Sequence, residues 1–304
     1  MNAIAASPYM DSALSSRARP SFFGLVGGGL LKLSRQWMTW IILVLYLGGT
    51  ALLFLLLDSG GNEKEILQKD PLNFLYTMTA YPATVMRIFG GFFLMIITAY
   101  LVGMEYQGGT IRVVLARGVG RVQFFLAQLT TALLVVIMLF VGWTLINLAG
   151  LFVSVLILGG RPDIFTVADS TYWREMGIYM LTILMSMTVS VLMAATMAVI
   201  GRSLAFGMSA ALSWFPIDNI AIIPLTLIAQ FLHRDWPRNA TGYLLGPVVN
   251  GLPEELGLKN IGPTGLLAPV VKVESTQALL VVLAYAVAFL VISLLLTWKK
   301  DVKE

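Results

Sequence analysis

The chain has no cysteine and a single histidine, His233, and only 12% of its 304 residues are charged. Without cysteine there is no disulfide, no thiolate chemistry and no cysteine metal site, and the redox compartment is left open. One histidine argues against a histidine metal cluster or a catalytic triad within the chain. No G-x-x-x-x-G-K-[ST] occurs, so ATP is not bound through a Walker loop. H-E-x-x-H and the G-x-S-x-G nucleophile elbow are missing as well. Gly118 and Gly120 do not make a phosphate cradle, because no strand precedes them and a hydrophobic span follows.

Apolar residues fill the space that charge leaves. They make up 58% of the chain, and mean hydropathy is +0.84. A soluble domain is nearer half apolar and a quarter charged, so this is an integral membrane protein. An all-α bundle of six transmembrane helices is expected, with spans at about 37–57, 82–104, 122–158, 176–200, 204–231 and 277–296. Each is long enough, at ~1.5 Å per residue, to cross a hydrocarbon core of about 30 Å. The third run has 37 residues and would be roughly 55 Å long as one helix, so it is either one projecting span or a hairpin of two. No turn cluster interrupts it, and one long span is preferred.

Residues 1–20 are small, polar and unpatterned, and read as a disordered cytosolic tail rather than a secretory signal. From 21 to 36 the pattern is amphipathic, with Phe22, Phe23, Leu25, Val26, Leu30 and Leu33 against Lys32, Arg35 and Gln36. An interfacial helix fits this segment, weakened by three glycines at 27–29. Residues 58–81 and 159–175 read as polar loops. The long loop 232–276 contains an apolar stretch, 243–252, too short to cross; it is either re-entrant or an ordinary loop. Residues 299–304 form a short cytosolic tail.

Six crossings put both termini on one side. That side carries eleven of the 20 Lys and Arg, concentrated in short segments, while the opposite loops hold eight over far more residues. The positive-inside rule therefore places both termini and the 105–121 loop in the cytoplasm of a multi-pass cell-membrane protein.

That loop, EYQGGTIRVVLARGVGR, is the most informative stretch of the chain. Gly108-Gly109 break the incoming helix and Thr110 can cap a new one. Ile111, Val114 and Leu115 fall on one face, Arg112 on another, and Gly118 and Gly120 end the helix. A short amphipathic helix flat against the membrane is expected. Glu105, Gly109, Thr110, Arg112, Leu115 and Arg121 resemble the E-x-x-x-G-T-x-R-x-x-L-x-x-x-x-x-R pattern in the first cytoplasmic loop of type-2 ATP-binding-cassette (ABC-2) transporter permeases. The tail Trp298-Lys299-Lys300-Asp301 is similar to the end of the last span in that family. The resemblance implies that 105–121, with Arg117 in it, is a coupling helix docking on a separate ATPase subunit, which would hold the ATP and magnesium. It also implies a homo- or heterodimer of permease subunits in the lipid bilayer, no cofactor in this chain, no enzymatic activity of its own and no nucleic-acid partner.

The costly residues lie in the spans. Asp218 sits near the middle of 204–231, where an acid costs about 2.5–3.5 kcal/mol on insertion scales. Pro216 beside it predicts a kink, and Asn219 adds a second polar group. Asp218 either faces protein or a water-filled path, or it satisfies the Ser213 hydroxyl and the backbone groups freed by Pro216, or it stays protonated, the last two with no transport role. The family's path lies at a dimer interface lined by the second and fifth spans, which by resemblance selects Trp214, Asp218 and Asn219, with Tyr100 or Met104 opposite. Arg87, five residues into the second span, is expected to snorkel to the interface rather than contact substrate. Two other functions fit the same residues: an intramembrane enzyme using Asp218, and a non-transporting membrane scaffold or anchor.

Overall fold

A computed structural model describes residues 21–58, 63–160, 162–258 and 267–299; the expected tails 1–20 and 300–304, and 259–266 of the long loop, lie outside them. The described residues are helical, with no strand. The helices are α1 (Phe22–Ser34), α2 (Trp37–Asp58), α3 (Glu63–Lys69), α4 (Pro71–Gln107), α5 (Thr110–Ala116), α6 (Arg121–Ile157) and α7 (Ser170–Gly201). They continue with α8 (Leu204–Ile220), α9 (Ile222–Leu232), α10 (Trp236–Ala240), α11 (Leu245–Glu255) and α12 (Ser275–Lys299). Six helical stretches are long and apolar enough to cross a membrane: α2, α4, α6, α7, α8–α9 together, and α12. The protein is an all-α, multi-span membrane protein.

The core is built on α4 and α7. Phe74, Met78, Met86 and Leu94 on α4 are fully buried with Tyr179, Ile183, Met187 and Val191 of α7 in one apolar cluster. Both helices start well before the apolar run that marks them, inside the segments 58–81 and 159–175 expected as loops. Asp70 caps α4 by accepting the Asn73 N–H, with Pro71 at the first helical position. Asp169 caps α7 by accepting the Tyr172 N–H. A carboxylate at the cap and a proline just inside it are strong helix starts whatever the hydropathy. The added turns are joined through side chains: Tyr76 donates to Glu175 at 2.8 Å, and Thr79 meets the Tyr172 hydroxyl at 3.1 Å.

α6 is one continuous helix of 37 residues. α1 lies against it, where the Thr131 hydroxyl is 3.4 Å from the Val26 carbonyl. Of the three glycines expected only to weaken α1, Gly29 is a contact point, since a Cβ there would lie 2.7 Å from Thr131 Oγ1. The fifth span breaks later than Pro216 suggests. The helix runs through Pro216 and turns at Ala221, which ends α8 and begins α9. Pro224 explains the position: it has no N–H for the Ile220 carbonyl, so the ladder is lost about two turns beyond the Leu212 carbonyl that Pro216 leaves unpaired.

α4 and α8 meet at their ends with almost no space between backbones. A Cβ on Gly103 would lie 2.8 Å from the Leu204 Cα, whereas one on Gly48 of α2 meets nothing within 4 Å. Small residues permit such approach where no aqueous hydrophobic force holds helices together. Gly103→Ala is expected to cost about 1–3 kcal/mol through overpacking, and Gly48→Ala to be neutral or slightly stabilising. Thermal unfolding of the two variants in detergent checks the difference.

Candidate functional site

Two regions gather the polar chemistry: the connector between α4 and α6, and a cavity where α8 meets α11.

The connector is shaped by its glycines. Gly108 caps α4, and Gly109 takes a left-handed conformation (φ 66°) that starts α5. Gly118 (φ 85°) ends α5 in the same conformation. The N-cap of α5 is therefore Gly109, not Thr110. Thr110 is the first helical residue, and its hydroxyl reaches back to the Glu105 carboxylate. Glu105 also accepts from Lys32 Nζ of α1 at 2.5 Å, and Lys32 stands 5.5 Å over the Tyr100 ring. One carboxylate thus ties together α1, the end of α4 and the start of α5.

Ile111 is buried, Val114 and Leu115 are half-buried, and Arg112, Val113, Ala116 and Arg117 are exposed. This is the amphipathic division that the spacing predicts, with an exposed face of two arginines flanking small apolar side chains. Arg112, Arg121 and Arg202 line a cleft with Tyr106, Gln107 and Thr297, about 370 Å³ in volume. Lys32 was not legible as part of this region. Its only signal is a basic residue in the last turn of an amphipathic helix.

The cavity brings together Trp214, Asp218 and Asn219 of α8, Gly246 and Asn250 of α11, Ser186 and Ser190 of α7, and Arg87 and Met95 of α4, around a small space of about 40 Å³. Tyr100 and Met104 do not line it. They lie beyond Met95 on α4, by roughly 8 and 14 Å at helical rise, and Tyr100 belongs with Lys32 instead.

Asp218 is 7% exposed and accepts the N–H of Gly246, in the first turn of α11. The acid satisfies an orphan amide at a helix N-terminus, where negative charge is favoured, rather than backbone freed by Pro216 or the Ser213 hydroxyl. Asn219 completes the joint: its Nδ2 donates to the Phe215 carbonyl at 2.7 Å, and its Oδ1 accepts from Asn250 Nδ2 at 2.7 Å. Gly246 is required here, since a Cβ would come within 2.5 Å of Asn219 Nδ2. The apolar stretch 243–252 is therefore a helix packed into the bundle, buried through Val248 and Leu252.

Arg87 does not snorkel. It is 4% exposed, and its Nε and Nη1 are buried without a hydrogen-bond partner. Among the described residues it forms no ion pair, with Asp218 or any other acid. The Trp214 Nε1 is likewise buried and unpartnered.

The described residues thus form an all-α, multi-span membrane bundle with a helical connector and polar groups at the span contacts. The family model for ABC-2 family transporter proteins matches residues 29–215, more than half of the chain, and the chain belongs to that family. It is a permease, a membrane-spanning component of a transporter. A search of curated proteins found no match. The matched region includes the connector and Arg87 but ends just before Asp218 and α11.

Asp218→Ala leaves the Gly246 amide buried without an acceptor and is expected to destabilise by about 1–3 kcal/mol. Asp218→Asn keeps an acceptor oxygen and is expected to lose clearly less. Comparing the unfolding of the two variants in detergent distinguishes the capping role from a purely functional one.

Proposed function

We propose that the chain is the membrane subunit of an ATP-driven exporter, coupled through α5 to a separate ATPase subunit. The observation that carries this reading is the connector. It is a short helix fastened at Glu105 to both α1 and α4, with Arg112, Val113, Ala116 and Arg117 on its outer face. A helix held this way passes a push on its exposed face directly into α4, which packs on α7 and α8. The distribution of Lys and Arg supports a cytoplasmic position for this end and for both termini. ATP and magnesium belong to the partner, since the chain has no Walker loop.

The transport unit is a dimer in the bilayer. The α8–α9 and α12 spans are only 17% buried, against 61% for α4, and Ile217, Ile223, Leu227 and Phe231 are exposed along α8–α9. This unpaired face adjoins the Asp218 cavity, which supports a substrate path beside a second permease subunit. Asp218 already holds α11 in place, which favours a path-lining and structural role over the chemistry of an intramembrane enzyme.

The test is recovery of an ATPase with the affinity-tagged chain from its own cells. Arg112→Glu with Arg117→Glu is expected to reduce that recovery at least tenfold while the chain still reaches the membrane. Undiminished recovery of the ATPase counts against docking at α5.

A further inference from the structure

Arg87 is enclosed by the cavity and its surroundings do not use it. The guanidinium stays protonated inside proteins and carries a planar fork of donors suited to carboxylate or phosphate oxygens. Two of its nitrogens, Nε and Nη1, are buried with no partner. The polar groups around it bond to one another instead: the Tyr179 hydroxyl meets Thr84 at 2.9 Å, Ser190 donates to the Ser186 carbonyl, and the Asn219 amide oxygen accepts from Asn250. On the α8 wall stands Asp218, with Oδ2 taken by Gly246, leaving its other oxygen as an acceptor. The two charges line one cavity without forming an ion pair.

An anion alone in this space would meet the Asp218 carboxylate, and a cation alone would meet Arg87. A ligand carrying both charges satisfies both walls. We infer that the cavity between α4, α7, α8 and α11 binds a zwitterionic group, with its anionic oxygens on Arg87 and its ammonium on Asp218. Trp214, whose Nε1 is unpartnered in the same lining, offers a further donor to the anionic end. The inference rests on the reading of this cavity as part of the substrate path, and names the class of group that path receives. That group is either a free aminoalkyl phosphate or the headgroup of a zwitterionic phospholipid, the recognition chemistry being the same.

The experiment uses the purified full chain without any ATPase. In a neutral sugar detergent, phosphoethanolamine is expected to raise the melting temperature, and inorganic phosphate or ethanolamine alone to do so far less. The shift should vanish in Arg87→Gln and shrink in Asp218→Asn. In the second arm, native mass spectrometry after extraction from phosphatidylethanolamine nanodiscs is expected to retain lipid on the wild type and not on Arg87→Gln. A positive result in the first arm identifies a soluble source, and in the second alone a lipid one; either supports the proposal. Arg87→Lys, which keeps the charge and loses the fork, is expected to bind at least tenfold more weakly and serves if the Gln variant does not fold. No binding in either arm, equal binding by the arginine variants, or equal effects of phosphate and phosphoethanolamine overturns the proposal. Coupling at α5 is not involved in any of these readouts, so failure here leaves ATPase docking standing, and failed docking leaves this binding intact.

Discussion

The carboxylate of Glu105 is the constraint on which the basic end of the molecule depends. It lies where three helices with separate reasons to exist must be brought to one place. α1 is amphipathic, α4 is a long core helix, and α5 is too short to be stable alone. Lys32 and Thr110 converge on that one group, and the glycines at 108 and 109 let the chain turn sharply enough for Thr110 to reach it. The pair is partly buried, with side-chain exposures of 33% and 14%, so solvent screens it less than a surface ion pair. Without it, α5 would lose its side-chain tie to α1 and α4 and keep the burial of Ile111 and the partial burial of Val114 and Leu115.

At the Asp218 cavity the same logic appears in a more apolar setting. A charge among apolar helices persists only where something specific compensates it. Asp218 is compensated by the amide of Gly246, and that bond fixes α11, which in turn packs on α12 and closes one side of the cavity. Arg87 has no such partner among the described residues. The contrast between a satisfied acid and an unsatisfied base in one cavity lining makes this the place where an outside molecule has most to offer.

Much of the fold was legible in the sequence because it follows from hydrophobic length. The six runs, the single helix over 122–158 and the division of α5 into buried and exposed faces needed only periodicity and bilayer thickness. The early starts of α4 and α7 do not follow from hydropathy, because they are set by the caps at Asp70-Pro71 and Asp169 in polar sequence ahead of each apolar run. The break at Ala221 follows Pro224 rather than Pro216, because both prolines lack an N–H and the sequence alone does not say at which of them the helix ends. The burial of Arg87 was beyond the sequence. Its position near the end of an apolar run suits snorkelling equally well, and only the packing of α7, α8 and α11 around it decides otherwise. The displacement of Tyr100 and Met104 from the cavity has a related cause: a resemblance between spans gives the helix but not the depth along it.

That the chain has no cysteine permits a direct measurement of the Glu105 tie. Spin labels on cysteines introduced at Arg35, just after α1, and at Val113, exposed on α5, report the distance between the two elements by pulsed electron resonance. A single narrow distribution is expected with Glu105 in place, and a broad or displaced one in Glu105→Ala. The same narrow distribution in both would contradict the claim that this carboxylate holds the connector to the bundle.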